Sequence, residues 1–367
     1  MALGILGQAA LNQEAEVGRG VYQFNPLQDS RWESFIESRT DASVFHSAGW
    51  LEALRRTYGY EPVVYTTTPP GKQLINGIVL CRVRSWITGF RLVSVPFSDH
   101  CQPLVDSLDT LVELIASLEE RQRKEHWKYF ELRPRPSEDP LGDAYKNLST
   151  TESYFLHSLD LRPELNKLFL GFHKSCVQRK IRRAEREGLT TEDGRSPELL
   201  DKFYRLLILT RRRHGLPPQP RQWFQNLIES LGDRIVIRVA SKDGQPTASI
   251  LTVHNKTSLV YKYGCSDPKF HNLGGVLLLH WIAIQEGKRQ GMLGYDLGRS
   301  EQENQGLVTF KDNWGAKSLT LRYYRFPAGK AAYLASGWRV RLLHHAFSGI
   351  PDSLLAAVGR LLYRHIG

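Results

Sequence analysis

The order of predicted elements occurs twice along the chain, and this repeat constrains the fold more than any other feature. In the first half, two amphipathic helices within residues 30–58 precede three alternating segments rich in Val and Ile, a helix at 108–126 and the strand WKYFELRP. In the second half, a helix at 198–214 precedes three strands joined by tight turns, a helix at 275–290 and the strand LGYDLG. The sequence therefore predicts an α/β fold with a mixed sheet, duplicated as two units of about 150 residues with a cleft between them.

Chain length and this repeat indicate three parts. With 367 residues the chain is long enough for two domains, which we place at 20–150 and 151–330, followed by a helical tail at 331–367. The tail combines an apolar stripe with cations; the stripe contains Leu354, Leu355, Val358, Leu361 and Leu362, and the interrupting residues are Arg360, Arg364 and His365. Such a basic amphipathic helix can lie on an acidic membrane surface or dock on its own domain, and the sequence leaves both alternatives open.

The chain carries a surplus of positive charge. It has 49 Lys and Arg residues against 38 Asp and Glu residues, a formal net charge of +11 and a pI near 9.5. This balance favours anionic partners, namely nucleic acid, phosphorylated cofactors or acidic lipid surfaces. A basic soluble protein without a specific anionic partner is the alternative.

Cysteine spacing and hydropathy indicate the compartment. The four cysteines, at 81, 101, 176 and 265, form neither a CxxC pair nor a dense disulfide framework. The N-terminus has no cation before its short apolar stretch, and no segment reaches the roughly 18 apolar residues of a spanning helix. We therefore expect a cytoplasmic protein without a bound metal, with peripheral contact to the inner membrane as an open alternative.

Residues 173–189 form the most basic segment. A helix here places Arg179, Arg182, Arg183 and Arg186 on one flank. A solvated helix face is the ordinary explanation, but like charges three and four residues apart destabilise a helix, which favours an anionic ligand. We therefore take Arg179 as a candidate substrate-binding residue.

A glycine-containing loop precedes the apolar helix at 275–290. It contains His271, Asn272, Gly274 and Gly275. Free amides at a helix start can bind phosphate oxygens, because glycine lets the ligand approach the backbone and the helix dipole favours an anion. These four residues are candidate cofactor-binding residues, although a tight strand-to-helix turn explains the glycine pair equally well.

A dense polar set follows the strand that contains Asp296. Its members are Arg299, Glu301, Glu303, Lys311, Asp312 and the aromatic Trp314. Because α/β sheets commonly bind ligands beyond their strand ends, this set is a candidate active site. A buried structural ion pair between Asp296 and Arg299 is the competing explanation.

Three motifs resemble the FemAB-like branch of the GNAT acyltransferase superfamily, including FemAB-like proteins associated with exosortase and exopolysaccharide loci. The motifs are the basic helix KSCVQRKIRRAEREGL, the cofactor loop and helix SDPKFHNLGGVLLLHWIAIQEGKRQG, and YDLGRSEQENQGLVTFKDNWG, which is similar to the branch's Tyr-Asp-Phe-Gly-Arg-Ser and Phe-Lys-x-x-Trp-Gly signature. The segments PFSDHCQPL and LLYRHIG are also similar, so the resemblance covers nearly the whole chain. It implies tandem GNAT-like domains, with most of the chemistry in the second.

The resemblance also implies an N-acyltransferase with a polyanionic donor. Members of the superfamily use acyl-CoA, and the peptidoglycan-building relatives use aminoacyl-tRNA. The usual pyrophosphate loop reads Gln or Arg, two residues, Gly, one residue, then Gly or Ala, whereas the same positions here are His271, Gly274 and Val276. The sequence also lacks the charged helical hairpin inserted in many tRNA-dependent relatives. The donor therefore stays open between acyl-CoA and aminoacyl-tRNA.

Four residues of the second domain receive roles from this resemblance. Lys311 is predicted to stabilise negative charge on the donor or the tetrahedral intermediate. Tyr263 is predicted to protonate the leaving group, unless it only packs within its strand. Asp296 is predicted to accept the amine proton or to orient Arg299, which would bind a phosphate or carboxylate with two parallel hydrogen bonds.

Two residues of the first domain, Asp99 and His100, are candidate acceptor contacts if their loop faces the cleft. The acceptor implied by the resemblance is an amino group on a cell-envelope or exopolysaccharide precursor. The alternative is a non-catalytic, degenerate pair of GNAT-like domains that binds nucleic acid or anionic glycan, as the altered pyrophosphate loop and the net charge would allow.

Overall fold

The computed structural model describes residues 20–136, 150–327 and 351–366. Within these ranges the α-helices are α1 (Ser30–Ser38), α2 (Ala48–Tyr58), α3 (Leu108–Glu125), α4 (Leu165–Gly171), α5 (Arg179–Arg186), α6 (Pro197–Arg213), α7 (Arg221–Leu231), α8 (Gly275–Arg289), α9 (Gln305–Asp312) and α10 (Asp352–Ile366). The strands are β1 (Tyr22–Phe24), β2 (Glu61–Thr66), β3 (Ile78–Ser85), β4 (Gly89–Val93), β5 (Phe130–Leu132), β6 (Thr150–Asp160), β7 (Thr190–Gly194), β8 (Ile235–Lys242), β9 (Gln245–Asn255), β10 (Ser258–Ser266), β11 (Gly294–Glu301) and β12 (Lys317–Phe326). Part of the predicted tail, 331–350, lies outside the described residues.

These strands form one mixed sheet in the order β1-β2-β3-β4-β5-β12-β6-β11-β10-β9-β8-β7. Each half contains an antiparallel three-stranded meander, β2–β4 or β8–β10, whose last strand pairs in parallel with the strand after the next helix. The two halves join at β12, which pairs with β5 on one side and with β6 on the other. The sheet therefore contains the same local topology twice, in the order that the sequence predicts.

Local signals set the ends of the main helices. Ser107 and Ser196 accept hydrogen bonds from the third amides of α3 and α6, and α6 has a proline in its first turn. Helix α2 ends at Gly59, which has the left-handed φ of +73° that glycine adopts without strain. The basic segment predicted as one helix is instead a π-helical turn at Lys174–Gln178 followed by α5.

An aromatic core joins the two halves. Helix α2 packs against α7, with the Trp50 and Trp223 rings perpendicular and 5.4 Å apart between centroids. Tyr58 and Phe97 contact the same Trp223 ring at 5.5 and 5.8 Å. Because the core cluster contains side chains from both halves, the two units are held in one fixed arrangement.

Helix α10 lies across both halves. Leu355 is fully buried against Ile208 of α6, and the carbonyl of Tyr363 accepts a 2.7 Å hydrogen bond from the Tyr60 hydroxyl. Arg91 donates to the carbonyl of His365 at 2.9 Å. The structure therefore shows this part of the tail docked on its own chain. Neither α10 nor any other helix in the described ranges is long and apolar enough to cross a membrane.

Candidate active site

Strands β10 and β11 separate after a short parallel contact, and this opening positions the site. Three residue pairs join them, ending at Val260 and Asp296, although β10 continues to Ser266 and β11 to Glu301. The register of each strand shifts just beyond this contact, as in a β-bulge. Bulges redirect the side chains that follow them, so both strands present polar groups at the opening.

A cavity of about 510 Å³ lies beside the opening. Its wall contains residues of β9 and β10, the loop before α8, the first turn of α8, and α9. Helix α8 begins without a side-chain cap, so the amides of its first turn, at Gly275–Leu277, are available to an anion. Gly274 has a φ of +80°, and a Cβ there would lie 2.6 Å from the carbonyl oxygen of Lys180. Glycine is therefore required at position 274, where the loop before α8 approaches the backbone of α5.

Basic side chains line the mouth of the cavity. They are Lys180, Arg213, His214 and His271. His271 Nε2 lies 2.8 Å from Ser266 Oγ and 3.0 Å from Arg213 Nη1. Partial burial and the neighbouring Arg213 charge lower the pKa of His271, which favours the neutral ring. Fixed positive charge at the mouth therefore comes from Lys180 and Arg213, beside the free amides of α8.

Lys311 is not part of the cavity wall, and its side chain reaches the bulge of β11. Its Nζ donates to the carbonyl oxygens of Gly298 at 2.9 Å and Arg299 at 2.8 Å, and the residue is 2% exposed. Burial lowers the pKa of Lys311 to about 8, although the Asp99 and Asp296 carboxylates act in the opposite direction. The preceding residues Thr309 and Phe310 line the cavity, so α9 carries a buried ammonium beside it.

Asp99 arrives at the same place from the first half of the chain. Its carboxylate accepts a 3.0 Å hydrogen bond from Lys262 Nζ and lies 3.9 Å from Arg299 Nε. A Cβ at Gly298 would lie 3.1 Å from Asp99 Oδ2, so this glycine, with a φ of +74°, lets the carboxylate approach the β11 bulge. Asp99, Lys262, Arg299 and Lys311 therefore form one cluster, which we call the polar cluster.

The loop that carries Asp99 has a constrained backbone. Val95 and Phe97 have positive φ values of 34° and 61°, which side chains of this size adopt rarely. Packing of Phe97 against Tyr58, at 5.0 Å between ring centroids, helps hold this conformation. Such conformations persist only where the surroundings enforce them, and they occur preferentially at functional sites.

Arg299 is held between two aromatic rings. Its guanidinium carbon lies 4.2 Å from the centroid of the Tyr154 ring and 5.2 Å from that of Tyr323. Nη1 donates a 2.8 Å hydrogen bond to the Tyr323 hydroxyl, which itself donates to the carbonyl of Asp99 at 2.7 Å. The Arg299 side chain is 36% exposed, so this oriented cation is accessible to a ligand.

Asp296 pairs with His100 rather than with Arg299. Its Oδ2 lies 2.8 Å from His100 Nε2, and its Oδ1 accepts the amide of Gly298 at 2.7 Å. Burial acts to raise the pKa of Asp296, but the hydrogen bond and charge of His100 and the Gly298 amide outweigh it and lower that pKa. The pair therefore ties the Asp99 loop to the β11 bulge, across the two halves.

Two tyrosines of β10, Tyr261 and Tyr263, lie on different faces of the strand. The Tyr263 hydroxyl accepts a 2.9 Å hydrogen bond from Trp223 Nε1 in the aromatic core, and burial raises the pKa of Tyr263. Tyr263 is absent from the cavity wall, whereas Tyr261 lines it. The register shift between these two residues places them on different faces of the strand. Proton donation by Tyr263 therefore does not fit the geometry.

The remaining predicted residues divide between the cavity and the surface. Gly274, Gly275 and His271 line the cavity, whereas Asn272 is exposed and outside its wall. Arg179 is also exposed, one residue before the cavity-lining Lys180. The sequence reasoning missed Lys180, Arg213, Tyr261, Lys262 and Gly298. Lys180 lies in the basic segment already singled out, but nothing in the spacing of Lys262 indicated its contact with Asp99.

The comparisons with known proteins concern both fold and family. Residues 173–311 match the family model of the acetyltransferase (GNAT) domain. A UDP-N-acetylmuramoylpentapeptide-lysine N(6)-alanyltransferase of Weissella viridescens is 27% identical over 318 residues, which cover 78% of this chain and 89% of the relative. The matched range contains Lys311 and all of the cavity wall except Asn313.

Two solved structures share the architecture. The crystal structure of FemX has a TM-score of 0.64 at 13% identity, over 82% of this chain and 96% of that chain. A tandem GNAT protein from the clavulanic acid biosynthesis pathway has a TM-score of 0.53 at 12% identity, over 84% of this chain and 98% of that chain. At these identities the likeness shows the fold alone, and it confirms the predicted tandem GNAT-like fold.

Proposed function

Since the chain is a FemAB-like acyltransferase of the GNAT superfamily, we propose that it transfers an aminoacyl group from aminoacyl-tRNA to an amino group of a cell-envelope precursor. One observation carries the proposal. The cavity, with the free N-terminus of α8, and the polar cluster both adjoin the opening between β10 and β11. The name of the curated relative, an alanyltransferase that acts on a lysine N6 amine, supports this reaction class.

The donor side is the cavity in the second half. The amides of the first turn of α8, together with Lys180 and Arg213, suit a phosphate-bearing carrier. Positive charge also extends beyond the mouth, since Arg179, Arg182 and Arg186 are exposed on α5. An extended basic surface favours a long polyanion over a compact one, because each phosphate contact releases counterions. This argument favours tRNA over CoA as the donor.

The acceptor side is the polar cluster. Asp99 is the carboxylate best placed to hold an ammonium, because both oxygens of Asp296 are engaged by His100 and Gly298. The accessible guanidinium of Arg299, oriented by Tyr154 and Tyr323, suits a carboxylate or phosphate of the acceptor. An amine-bearing acceptor that also carries negative charge fits both groups.

The transfer requires charge stabilisation and proton movement. The acceptor nitrogen attacks the ester carbonyl, a C–N bond forms, the C–O bond to the carrier breaks, and the proton lost by the amine balances the one gained by the leaving oxygen. Lys311 is proposed to stabilise the negative oxygen, since burial strengthens its electrostatic interaction and a pKa of about 8 keeps it mostly charged at neutral pH. Asp99 is proposed to take the amine proton.

A transfer assay tests the proposal. The purified chain is incubated with labelled alanyl-tRNA or labelled acetyl-CoA, each with a UDP-linked muramoyl pentapeptide that contains lysine, and label in the peptide is counted. Label from alanyl-tRNA supports the proposal. Label from acetyl-CoA alone reassigns the donor, and label from neither contradicts the proposed reaction with these substrates.

A further inference from the structure

An exposed apolar surface lies where the β3–β4 turn meets the end of α10. Trp86 and Ile87 of the turn are 87% and 46% exposed, and Leu354 and Leu361 of α10 are 53% and 70% exposed. These four residues are named the Trp86 surface. The Trp86 ring lies 5.5 Å from the His365 ring between centroids, one helical turn beyond Leu361. Turn and helix therefore form one continuous surface.

The Trp86 surface is rigid and not a frayed end. Ser85 Oγ lies 3.0 Å from His365 Nδ1, and the Thr88 hydroxyl donates to the carbonyl of His365 at 3.0 Å. The opposite face of α10 is anchored by the buried Leu355 and by the bond from Tyr60 to Tyr363. Leu354 and Leu361, seven residues apart, consequently share the outward face of the helix.

The charged residues at the β3–β4 turn and in the last turns of α10 are basic, and the carboxylate of Asp352 at the start of α10 is paired with Arg212. Exposed Arg84 precedes the turn, and exposed Arg360 and Arg364 flank Leu361. The segments 77–98 and 353–367 contain no Asp or Glu. A protein surface that binds at the interface of an anionic bilayer typically combines exposed tryptophan and leucine with surrounding arginines.

We propose that the Trp86 surface docks the enzyme on an anionic phospholipid bilayer. A second copy of this chain fits less well, because a twofold contact would bring Arg84, Arg360 and Arg364 of one copy against the same arginines of the other. A bilayer instead supplies negative headgroups for the arginines and an interfacial zone that tryptophan prefers.

Docking here also orients the donor cavity. Helix α10 starts where Asp352 pairs with Arg212 of α6, and the neighbouring Thr210, Arg213 and His214 line the cavity mouth. The bilayer surface would therefore run from the β3–β4 turn along α10 toward the end of α6.

Vesicle sedimentation with the full chain tests the proposal. We expect about tenfold stronger binding to phosphatidylcholine vesicles that contain about 30% phosphatidylglycerol than to phosphatidylcholine alone. The double variant Trp86→Ser, Leu361→Ser should lose about tenfold in binding, and Arg360→Gln, Arg364→Gln should lose the preference for phosphatidylglycerol. Ile75→Ser is the matched control, since Ile75 is 63% exposed but lies before the start of β3, far from the turn.

Each outcome has one meaning. Equal binding of the wild-type chain and the Trp86, Leu361 variant overturns the proposal, as does failure of the wild-type chain to bind either vesicle. A wild-type dimer in sedimentation velocity that the same variant dissociates would assign the surface to a second copy instead. Transfer to a water-soluble acceptor should be unchanged in these variants, so failure of docking is distinguishable from failure of the proposed reaction.

Discussion

The two halves of the molecule differ where their parallel strand pair separates, which is β4 and β5 in the first half and β10 and β11 in the second. In the second half, β10 and β11 separate and the space beside them is a cavity. In the first half, the amide of Ser94 bonds the carbonyl of Glu131 at 2.8 Å and that of Cys101 bonds Arg133 at 2.7 Å. Residues 95–100 leave the strand between these two bonds, and they carry Asp99 to the other half.

Because of this difference, the two halves of the chain contribute different residues to the site. The second half contains the cavity, proposed to bind the donor, and Lys311, and the first half contributes a loop with Asp99 and His100. Neither half contains the polar cluster alone, because Lys262 and Arg299 meet Asp99 only across the seam. Duplication followed by divergence of one loop is sufficient to build a site between two similar units.

The largest effect is expected from Lys311 in the second half. Lys311→Met should lower kcat by about 100- to 1000-fold, because it removes a preorganised positive charge from the reacting oxygen. Lys288→Met is the matched control, since Lys288 also donates to two backbone carbonyls, those of Leu161 and Arg162. Steady-state transfer kinetics measure both, and equal losses of activity would show that Lys311 is merely structural.

A substitution of Asp99, in the loop at residues 95–100, tests what the first half contributes to transfer. Asp99→Asn should lower kcat by about 100-fold through loss of the proton acceptor, while tRNA binding, measured by filter retention, stays unchanged. Lys180→Gln should show the reverse pattern, with weaker tRNA binding and little change in kcat. If Asp99→Asn instead weakens tRNA binding, the division of tasks between the halves is incorrect.

The pH dependence of transfer should reflect the protonation of Lys311. Because its pKa is lowered to about 8, activity that needs the ammonium should fall above pH 8, by about tenfold per pH unit. In the unfolded chain the lysine pKa is higher, so the unfolded state binds more protons between pH 8 and 10.5 and stability rises over that interval. A kcat profile of Lys311→Met that keeps the alkaline decline would assign the decline to another group.

The smallest effects separate the two tyrosines of β10. Tyr263→Phe should lower the free energy of unfolding by about 1–3 kcal/mol, because Trp223 Nε1 loses its buried acceptor, and should leave kcat unchanged. Tyr261→Phe should leave stability nearly unchanged and alter transfer, since Tyr261 lines the cavity. Thermal unfolding and transfer kinetics of the two variants measure these effects. Loss of activity in Tyr263→Phe alone would support the catalytic role predicted for Tyr263 from the sequence.

The fold was largely predictable from the sequence. Period and turn signals located α3, α6, α8 and both meanders to within a few residues, because hydrophobic alternation and capping are local properties. The prediction of Gly274 at a helix start also follows local rules, as its left-handed φ shows. The π-helical turn before α5 was missed, since no local signal distinguishes it from a regular helix start.

The candidate site was predictable only in part. Lys311 and Arg299 were selected from motif resemblance and Asp99 from its predicted place on a loop of the first domain, and the structure brings all three together. Strand alternation places Tyr261 and Tyr263 on one face, but the register shift at Lys262 separates them and sends Lys262 toward Asp99. A shift of this kind depends on the partner strand, so the β10 sequence does not reveal it.

The sequence by itself determined the duplicated order of elements, the basic charge and the glycines that the loop before α8 needs, because these follow from periodicity, composition and backbone freedom near each residue. Only the tertiary structure decided which carboxylate meets which cation. Asp99 and Lys262 are 163 positions apart, and Asp296 and His100 are 196 apart. Contacts at such separations exist because the two halves pack through one aromatic core and share one sheet, and no local pattern specifies that packing.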